Sequence, residues 1–405
     1  MKKAGFKMIN SPIKIDGFEI PNRVVLQPME GCDCHEDGTP SELTVAKYMR
    51  AARSHAGLVW FEACAVCPEG RTNPGQLMLT RDNLSSFKAL LKEMRRVAKE
   101  ECGISPIFIL QLTHSGRQSI RPMIAYRNEV YEEKRPLTDE YIVTDEYLDT
   151  LPEKYAESAM LAKEAGFDGV DVKSCHGYLF QELLSAFSRP GRYGGSFENR
   201  IKLYIDSIKA VKFAVPSDFL LTGRLSVSDM VRKPFGFGTT EDGRLDFTEP
   251  DMLIEKLTDA GIKILNVTIG NPYFNPHVNR PYRKGGYIPP ETADAGLRRF
   301  VTVERHIKEK FPSLAVVGSG LSYYRDNLIE KAEELLSGGV CDLVGFGRGW
   351  IAYSDFYADY LSGSFDPKKC CLACSKCTEL MRGKRVSGCA VFNKYYMELY
   401  KEMKK

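Results

Sequence analysis

Short apolar segments rich in β-branched residues alternate with amphipathic segments of helical periodicity along most of this chain of 405 residues. The apolar segments predict eight strands, at Val24–Gln27, Leu58–Phe61, Ile107–Leu112, Gly169–Lys173, Phe219–Arg224, Ile264–Thr268, Leu314–Val317 and Leu343–Gly345. The amphipathic segments predict helices that include Ser86–Lys99, Lys154–Ala165, Leu203–Phe213, Met252–Ala260, Arg298–Lys310 and Arg325–Ser337. Continuous apolar strands separated by helices indicate a parallel sheet covered on both faces. Eight such units, with no G-x-G-x-x-G after the first strand, favour an α/β fold of the (β/α)8 TIM-barrel type over a doubly wound sheet.

Composition excludes several classes of protein. The formal net charge of +3 and the 43% of hydrophobic residues are typical of a globular protein and give no electrostatic case for a nucleic-acid surface. The first residues include two lysines but no apolar run long enough for a signal peptide, and no later stretch reaches about 20 uninterrupted apolar residues. We therefore expect a cytoplasmic protein. Its twelve cysteines are expected to be reduced, because a core of this size needs no disulfides.

Polar residues collect where the predicted strands end. They are Gln27 and Glu30 after the first strand, Glu62 after the second, Gln111 and His114 around the third, Lys173, His176 and Tyr178 at the fourth, Arg224 at the fifth and Asn271 after the sixth. In a barrel these ends share one face, where active sites form. The long loop 271–293, which contains His277 and several tyrosines, suits a substrate cover. The roles of His114 and His277 stay open.

Two glycine-rich turns follow the seventh and eighth strands. They contain Gly318-Ser319-Gly320 and Gly345-Phe346-Gly347-Arg348. Barrel loops at these positions often bind phosphate through backbone N–H groups, which glycine allows an oxyanion to approach, and the arginine adds a fixed charge. The alternative is that the glycines only shape strand-to-helix corners. Two such turns at the appropriate strands, one followed by arginine, favour a phosphate site.

Five cysteines crowd into the last tenth of the chain. Four of them follow the pattern Cys371-x2-Cys374-x2-Cys377-x11-Cys389, which is typical of an iron–sulfur cluster with one thiolate for each iron. Structural zinc is the alternative, although zinc ribbons usually show two C-x2-C pairs. Cys370 could replace Cys371 as the first ligand. We therefore expect a barrel at 1–365 and a [4Fe–4S]-binding extension at 366–405, and a phosphate site beside a cluster points to FMN.

Several segments together are similar to a known family. They are PNRVVLQPMEG, GLVWFEACAV, ILQLTHSGR, AGFDGVDVKSCHGYLFQELLSAFSRPGRYGGSFENR, TGRLSV and DLVGFGRGWIAYSDF, and they cover essentially residues 10–365. In this order they resemble the Old Yellow Enzyme family of FMN oxidoreductases. The segment CLACSKCTELMRGKRVSGCAVFN resembles the cluster-binding region of its iron–sulfur branch, which includes 2,4-dienoyl-CoA reductase, 2-enoate reductase and trimethylamine dehydrogenase.

The resemblance implies roles for individual residues. Gln111 matches the glutamine that binds the flavin pyrimidine edge, and Arg224 matches the arginine beside flavin N1 and O2. The backbone shelf under the flavin ring corresponds to Pro28, Met29 and Ala63, the phosphate turns to Gly318, Gly320, Gly347 and Arg348, and the cluster ligands to Cys371, Cys374, Cys377 and Cys389.

The substrate pocket departs from the family pattern. Many relatives end the fourth strand in His-x-x-His or His-x-x-Asn, whereas this chain has Lys173 in the first position and His176 in the second. Lysine can donate to an oxyanion and favours a carboxylate or a strongly polarised enone; a structural ion pair is the alternative. Tyr178 occupies the place of the family's proton donor, with a packed tyrosine as the alternative. Glu30 stands where trimethylamine dehydrogenase has its flavin-linked cysteine, so we expect no covalent flavin of that kind.

These observations predict an ene-reductase. Reduced FMN would give hydride to the β-carbon of an activated alkene, with Lys173 and His176 polarising the carbonyl or carboxylate and Tyr178 protonating the α-carbon. The alternatives are an amine dehydrogenase or demethylase and an electron-transfer subunit of a larger complex. Large members of the branch continue into a dinucleotide-binding module, whereas this chain ends at Lys405. We therefore expect an external donor (a ferredoxin, a flavodoxin, a flavoprotein subunit or NAD(P)H). An oxygen-sensitive cluster and many reduced thiols fit an anaerobic setting. The sequence does not set the oligomeric state, although the resemblance to commonly oligomeric relatives is compatible with a homo-oligomer.

Overall fold

The computed structural model describes residues 7–405 and contains a closed barrel of eight parallel strands. A short antiparallel hairpin, β1 (Ile13–Ile15) and β2 (Phe18–Ile20), precedes it. The barrel strands are β3 (Val24–Leu26), β4 (Leu58–Ala65), β5 (Ile107–Thr113), β6 (Gly169–Ser174), β7 (Leu220–Ser226), β8 (Ile264–Thr268), β9 (Ala315–Gly318) and β10 (Leu343–Phe346). Pairing of β10 with β3 closes the barrel. The predicted TIM-barrel fold is confirmed, and all eight predicted strands are present.

Fourteen α-helices lie in the described part of the chain, most of them around the barrel. They are α1 (Glu42–Ala52), α2 (Leu84–Cys102), α3 (Glu129–Glu132), α4 (Asp145–Ala165), α5 (Leu179–Leu184), α6 (Phe197–Ala214), α7 (Thr248–Ala260), α8 (Pro276–Asn279), α9 (Ala293–Lys310), α10 (Leu328–Ser337), α11 (Arg348–Ala352), α12 (Phe356–Ser362), α13 (Lys376–Arg382) and α14 (Lys394–Met403). None of the helices within residues 7–405 is both long and apolar enough to cross a membrane.

Several predicted helix starts differ from the structure: α6, α7 and α9 begin four to six residues earlier than predicted, at Phe197, Thr248 and Ala293. The differences at α4 and α10 have identifiable causes. Helix α4 begins nine residues before the predicted start at Lys154, because Thr144 caps it by accepting from the N–H of Tyr147 and the helix accommodates Pro152. Helix α10 begins at Leu328 and not at Arg325, because Arg325 has a φ of 53° and interrupts the helical path.

Apolar side chains fill the barrel interior toward its amino-terminal end. The cluster contains Ile15 and Ile20 of the hairpin together with strand residues. Those strand residues are Val25, Leu58, Trp60, Ile107, Ile109, Leu220, Ile264, Ala315, Val317 and Leu343. The hairpin therefore covers this end of the barrel, which leaves the carboxyl ends of the strands as the open face.

Residues after 366 form a compact segment against that open face. Leu380, Ala390 and Tyr396 make a small apolar core of their own. The segment is joined to the barrel by backbone hydrogen bonds, from the N–H of Ser387 to the carbonyl of Gly31 at 2.6 Å and from the N–H of Arg283 to the carbonyl of Ala373 at 3.1 Å. These contacts bring the cysteine-rich segment beside the strand ends.

Candidate active site

One cavity lies at the carboxyl ends of the strands and has an empty volume of about 1160 Å³, open solvent included. Every barrel residue predicted to bind cofactor or substrate lines it, except Gly318. Those residues are Pro28, Met29, Ala63, Gln111, Lys173, His176, Tyr178, Arg224, Gly320, Gly347 and Arg348. The barrel closure thus brings together side chains from the ends of strands that are far apart in sequence.

A buried carboxylate fixes the orientation of Gln111. Asp171 Oδ2 accepts from Gln111 Nε2 at 2.6 Å and from Trp60 Nε1 at 3.0 Å. This bond uses one of the two N–H groups of the Gln111 amide, so its second N–H and its carbonyl oxygen are left for other partners. Burial raises the pKa of Asp171 to about 6, while the Gln111 hydrogen bond and the Arg224 charge oppose that rise.

Arg224 places a guanidinium at the cavity wall with few protein partners. Its Nη1 donates to the carbonyl of Pro28 at 3.5 Å, and its buried Nε has no partner in the described structure. Burial lowers the pKa of Arg224, opposed by Cys175 and Asp171. A buried donor without an acceptor costs about 1–3 kcal/mol. The group is therefore suited to an anionic or carbonyl oxygen in the cavity.

The two glycine turns leave donors free at the end of the cavity beyond β9 and β10. Gly320 has a φ of +83°, and neither its N–H nor that of Gly347 donates to another group within residues 7–405. Arg348 Nη2 donates to the carbonyl of Pro281 at 2.9 Å, whereas its buried Nη1 has no partner there. Two backbone donors and a guanidinium around one space form a site for an oxyanion.

Gly318 lies beneath this turn instead of facing the cavity. A Cβ on Gly318 would lie 3.0 Å from Cys341 Sγ and 3.1 Å from Glu304 Oε2. The N–H of Ser319 also points to this underside and donates to Glu304 Oε1 at 2.7 Å. Gly318 therefore serves close packing under the turn, and the Ser319 N–H is not available to a ligand.

Lys173, His176 and Tyr178 form the wall of the cavity after β6. The Lys173 ammonium lies 3.5 Å from the centre of the Tyr178 ring, and no carboxylate within residues 7–405 comes within 4.0 Å of it. The structural ion pair considered for Lys173 is therefore absent from the described structure. Burial lowers the pKa of Lys173, opposed mainly by Cys175 and Glu30.

His176 presents a neutral imidazole to the cavity and Tyr178 a protonated hydroxyl. Burial lowers the pKa of His176, and the charges of Arg224 and Lys173 add to this effect, so the imidazole is neutral. Its side chain has no hydrogen-bond partner in the part of the chain described. Burial raises the pKa of Tyr178, so its hydroxyl stays protonated, and that hydroxyl donates to Glu30 Oε2 at 3.2 Å.

The cysteines of the final segment divide into two groups. The thiol of Cys371 interacts electrostatically with those of Cys374 and Cys377, and the thiol of Cys389 interacts with those of Cys371 and Cys377. Cys370 is buried beside Asp326 and Arg325 instead. Cys377 also lines the cavity. No three His, Cys, Asp or Glu side chains among residues 7–405 are arranged to hold a single metal ion.

The loop after β8, predicted as a substrate cover that contains Tyr273, also contributes the lining residues Asn279 and Arg280, which sequence reasoning missed. Tyr273, Asn279 and Arg280 line the cavity. The Tyr273 ring stacks beside that of Tyr178, with centroids 6.5 Å apart. The Arg280 side chain has no hydrogen bond or ion pair within the described residues, and burial lowers its pKa to about 10, with Arg348 and Arg382 adding to the effect. Only the length and tyrosine content of the loop hinted at these roles.

Two histidines left open by the sequence lie outside the cavity. His114 Nδ1 accepts from the N–H of Gly116 at 3.1 Å, and its Nε2 is 2.8 Å from the Tyr147 hydroxyl. Burial lowers the pKa of His114 to about 4, which keeps it neutral. His277 is hydrogen-bonded to the Tyr287 hydroxyl. Both histidines therefore brace loops.

Residues 8–362 match the model of a family described as "NADH:flavin oxidoreductase / NADH oxidase family". The chain belongs to this family. The resemblance to the Old Yellow Enzymes is confirmed, and the free donors of the cavity lie in a flavin oxidoreductase barrel.

Two known proteins are similar to this chain over more than nine-tenths of its length. NADH oxidase from Thermoanaerobacter brockii is 27% identical over 378 residues, covering 91% of this chain and 53% of that protein. Cinnamate reductase from Clostridium sporogenes is 26% identical over 420 residues, covering 96% and 58%. A 2-naphthoyl-CoA reductase complexed with 2-naphthoyl-CoA shares the fold, with a TM-score of 0.78 and 19% identity over 98% of this chain and 58% of that one. The chain thus spans little more than half the length of these relatives.

Proposed function

We propose that this chain is an FMN- and [4Fe–4S]-dependent ene-reductase that reduces the activated C=C bond of an α,β-unsaturated carbonyl or carboxylate compound. The observation that carries the proposal is that one cavity joins a flavin-type set of donors to a phenol, a neutral imidazole and an ammonium. The family membership and the similarity to a protein named cinnamate reductase support it.

The residues present fit FMN. Arg224 Nε and Arg348 Nη1 are buried donors without partners in the described structure, at two ends of the same cavity. Arg348, with the N–H groups of Gly320 and Gly347, would hold the phosphate. Gln111 and Arg224 would hold the pyrimidine edge, and Pro28, Met29 and Ala63 the ring. When bound, FMN would supply a hydride.

The remaining wall of the cavity would activate the alkene. Neutral His176 and the Lys173 ammonium would donate hydrogen bonds to the carbonyl or carboxylate oxygen, which gains negative charge during the reaction. The buried Tyr178 phenol would give its proton to the α-carbon. Because Lys173 has no carboxylate within 4.0 Å in residues 7–405, its charge is directed at the Tyr178 ring and the space beyond.

The thiols also fit an iron–sulfur cluster. Cys371 interacts with Cys374, Cys377 and Cys389, and its Sγ accepts from the N–H of Ala373 at 3.4 Å, a contact of the kind that tunes cluster sulfurs. We propose a barrel of 1–365 and a cluster-binding extension of 366–405, which the separate apolar core of the extension supports. A cluster there would pass single electrons, so a ferredoxin, flavodoxin or flavoprotein is proposed as donor beside NAD(P)H.

The proposal is tested by anaerobic purification followed by quantification of flavin, iron and sulfide. We expect one FMN and about four irons per chain. The reduced protein is then mixed with cinnamate, a cyclic enone or an enoyl thioester, and flavin reoxidation is followed by absorbance. Reoxidation by none of these alkenes, with bleaching of the oxidised protein by an amine, would replace the proposal with an amine dehydrogenase. Absence of flavin would refute it.

A further inference from the structure

Glu30 is an acidic side chain in the cavity that the proposed chemistry does not yet use. It follows β3 in the loop that continues from Met29, and it lines the cavity. Its Oε2 accepts from the Tyr178 hydroxyl at 3.2 Å, and its Oε1 lies 3.4 Å from Asn73 Nδ2. Within residues 7–405 it forms no ion pair shorter than 4.0 Å. Glu30 therefore contacts the proposed proton donor directly.

The neighbouring loop is held by a buried charge network whose ammonium, that of Lys47, is paired with two other carboxylates and not with Glu30. Lys47 Nζ binds both Asp33, at 3.2 Å, and Glu62. Glu62 Oε2 also accepts from the N–H of Gly31 at 2.6 Å, which fixes the backbone next to Glu30. Two carboxylates share one ammonium, so the network adds negative charge beside Glu30 instead of neutralising it.

The groups that face Glu30 set its protonation near neutral pH. Burial raises the pKa of Glu30 to about 7, and the negative charge of Glu62 adds to this rise. The charge of Lys173, the hydrogen bond from Tyr178 and the charge of Lys47 oppose it. Glu30 is thus a carboxylic acid below about pH 7 and a carboxylate above it. A partly exposed position lets it exchange protons with water.

We propose that Glu30 is the positioning residue that returns a proton to Tyr178 after each alkene reduction. The inference rests on the proposed function, because it needs Tyr178 to lose its proton to substrate. It concerns a group that acts on Tyr178 and not on the alkene.

The protons and electrons of the step balance. FMN, when bound and reduced, would supply the hydride that the β-carbon takes up. The C–H bond at the α-carbon forms with the proton of the Tyr178 O–H, leaving a phenolate. The Glu30 O–H bond then breaks, and its proton restores the phenol. The resulting Glu30 carboxylate takes a proton from water, and no additional oxidant or reductant is required. Lys173, 3.5 Å from the ring centre, stabilises the transient phenolate charge.

The first experiment compares the wild-type holoenzyme with Glu30→Gln and Glu30→Asp. The Glu36→Gln variant, in the same loop with an exposed side chain, is the matched control. Multiple-turnover alkene reduction is followed from pH 5.5 to 8.5 by stopped flow. We expect the wild-type rate to fall as pH rises through about 7, because Glu30 loses its proton. Glu30→Gln should lose this dependence and at least about tenfold of its rate, and Glu30→Asp should restore the dependence.

The second experiment needs no turnover. Infrared difference spectra between the wild type and Glu30→Gln isolate the protonated carboxyl band of Glu30, which is titrated with pH. We expect a titration midpoint near pH 7 in the wild type. The midpoint should move upward in Tyr178→Phe, because this variant lacks the hydrogen bond that stabilises the Glu30 carboxylate.

The outcomes separate the two proposals. An unchanged rate and pH profile in Glu30→Gln, or a midpoint that Tyr178→Phe does not move, would overturn the role of Glu30. Equal slowing of flavin reduction and of alkene reduction would also overturn it, since Glu30 would then serve flavin binding. If the wild type reduces no alkene, the proposed function fails, while the infrared titration still decides whether Glu30 and Tyr178 are coupled.

Discussion

Glu304 packs under the glycine turn that follows β9, and its burial has a measurable effect on the stability of the protein. This glutamate of α9 is fully buried, with a relative exposure of 0%. Its Oε1 accepts from the N–H of Ser319 at 2.7 Å, and its Oε2 has no partner within residues 7–405. Burial raises the pKa of Glu304 from 4.5 to about 8, opposed only by the Ser319 hydrogen bond.

The displaced pKa makes protein stability depend on pH. Between pH 4.5 and about 8 the folded protein keeps the proton of Glu304, while the unfolded chain releases it. The stability that Glu304 contributes is therefore fully present below pH 4.5 and lost as pH rises through about 8. A displacement of this size corresponds to about 5 kcal/mol in the free energy of unfolding, or about 1.4 kcal/mol for each pH unit.

Glu304→Gln should remove this dependence. The amide oxygen of glutamine can still accept from the N–H of Ser319. Its NH2 group places two N–H donors where the protonated carboxyl has one O–H, and no acceptor lies there in the described structure, so the variant carries one more unpaired buried donor at a cost of about 1–3 kcal/mol. We expect the wild type to be more stable at pH 5 and the variant to be more stable, by about 2–4 kcal/mol, at pH 9. Urea unfolding of the flavin-free protein at half-unit pH steps measures both curves.

The control is Glu309→Gln, which changes an exposed glutamate on the same helix. Its unfolding curve should follow the wild type at every pH. Parallel curves for the wild type and Glu304→Gln across this pH range would refute the reasoning, because they would show that the buried carboxyl does not change its protonation on folding.

Three further predictions concern the proposed cofactors and proton donor. Cys371→Ser should lose cluster iron and Cys370→Ser should retain it, because Cys371 interacts with Cys374, Cys377 and Cys389, whereas Cys370 lies beside Asp326 and Arg325. Iron quantification and electron paramagnetic resonance measure this difference, and equal loss of iron in both variants would contradict the ligand assignment. Tyr178→Phe should slow alkene reduction about 10²–10⁴-fold and leave flavin reduction by NADH unchanged, as stopped-flow traces of the two half-reactions would show. Gly320→Ala places a side chain at a φ of +83°, so it should lower the free energy of unfolding by about 1–2 kcal/mol and weaken FMN binding about tenfold in a fluorescence titration. Gly286→Ala adds its Cβ in open space and should leave FMN binding unchanged.

The sequence predicted the barrel because each strand carries its own signal. Continuous apolar runs such as Ile107, Phe108, Ile109 and Leu110 of β5 are buried on both faces, so they are recognisable without knowledge of their neighbours. The hairpin of Ile13–Ile15 and Phe18–Ile20 was missed, because three-residue strands give too short an alternation to detect. Helix α1 was also missed, and the interruption at Arg325 is a backbone conformation that residue type does not reveal.

The candidate site also contains residues that the sequence could identify and residues that it could not. Gln111, Lys173, His176, Tyr178 and Arg224 could be named because each lies at a strand end, where the fold class alone directs side chains toward the open face. Tyr273 could be placed only in an expected substrate cover, and Asn279 and Arg280 could not be named, because their loop reaches the cavity by a path that local periodicity does not describe.

By itself, the sequence determined the fold class, the family and the strand-end residues, since these depend on local hydrophobic pattern and motif spacing. Only the tertiary structure decided the protonation and contacts of the acids. It set Glu30 against Tyr178 and buried Glu304 beneath Ser319, and it directed Gly318 away from the cavity. The physical reason is that desolvation and hydrogen bonding depend on residues far apart in the chain, and barrel closure brings them together.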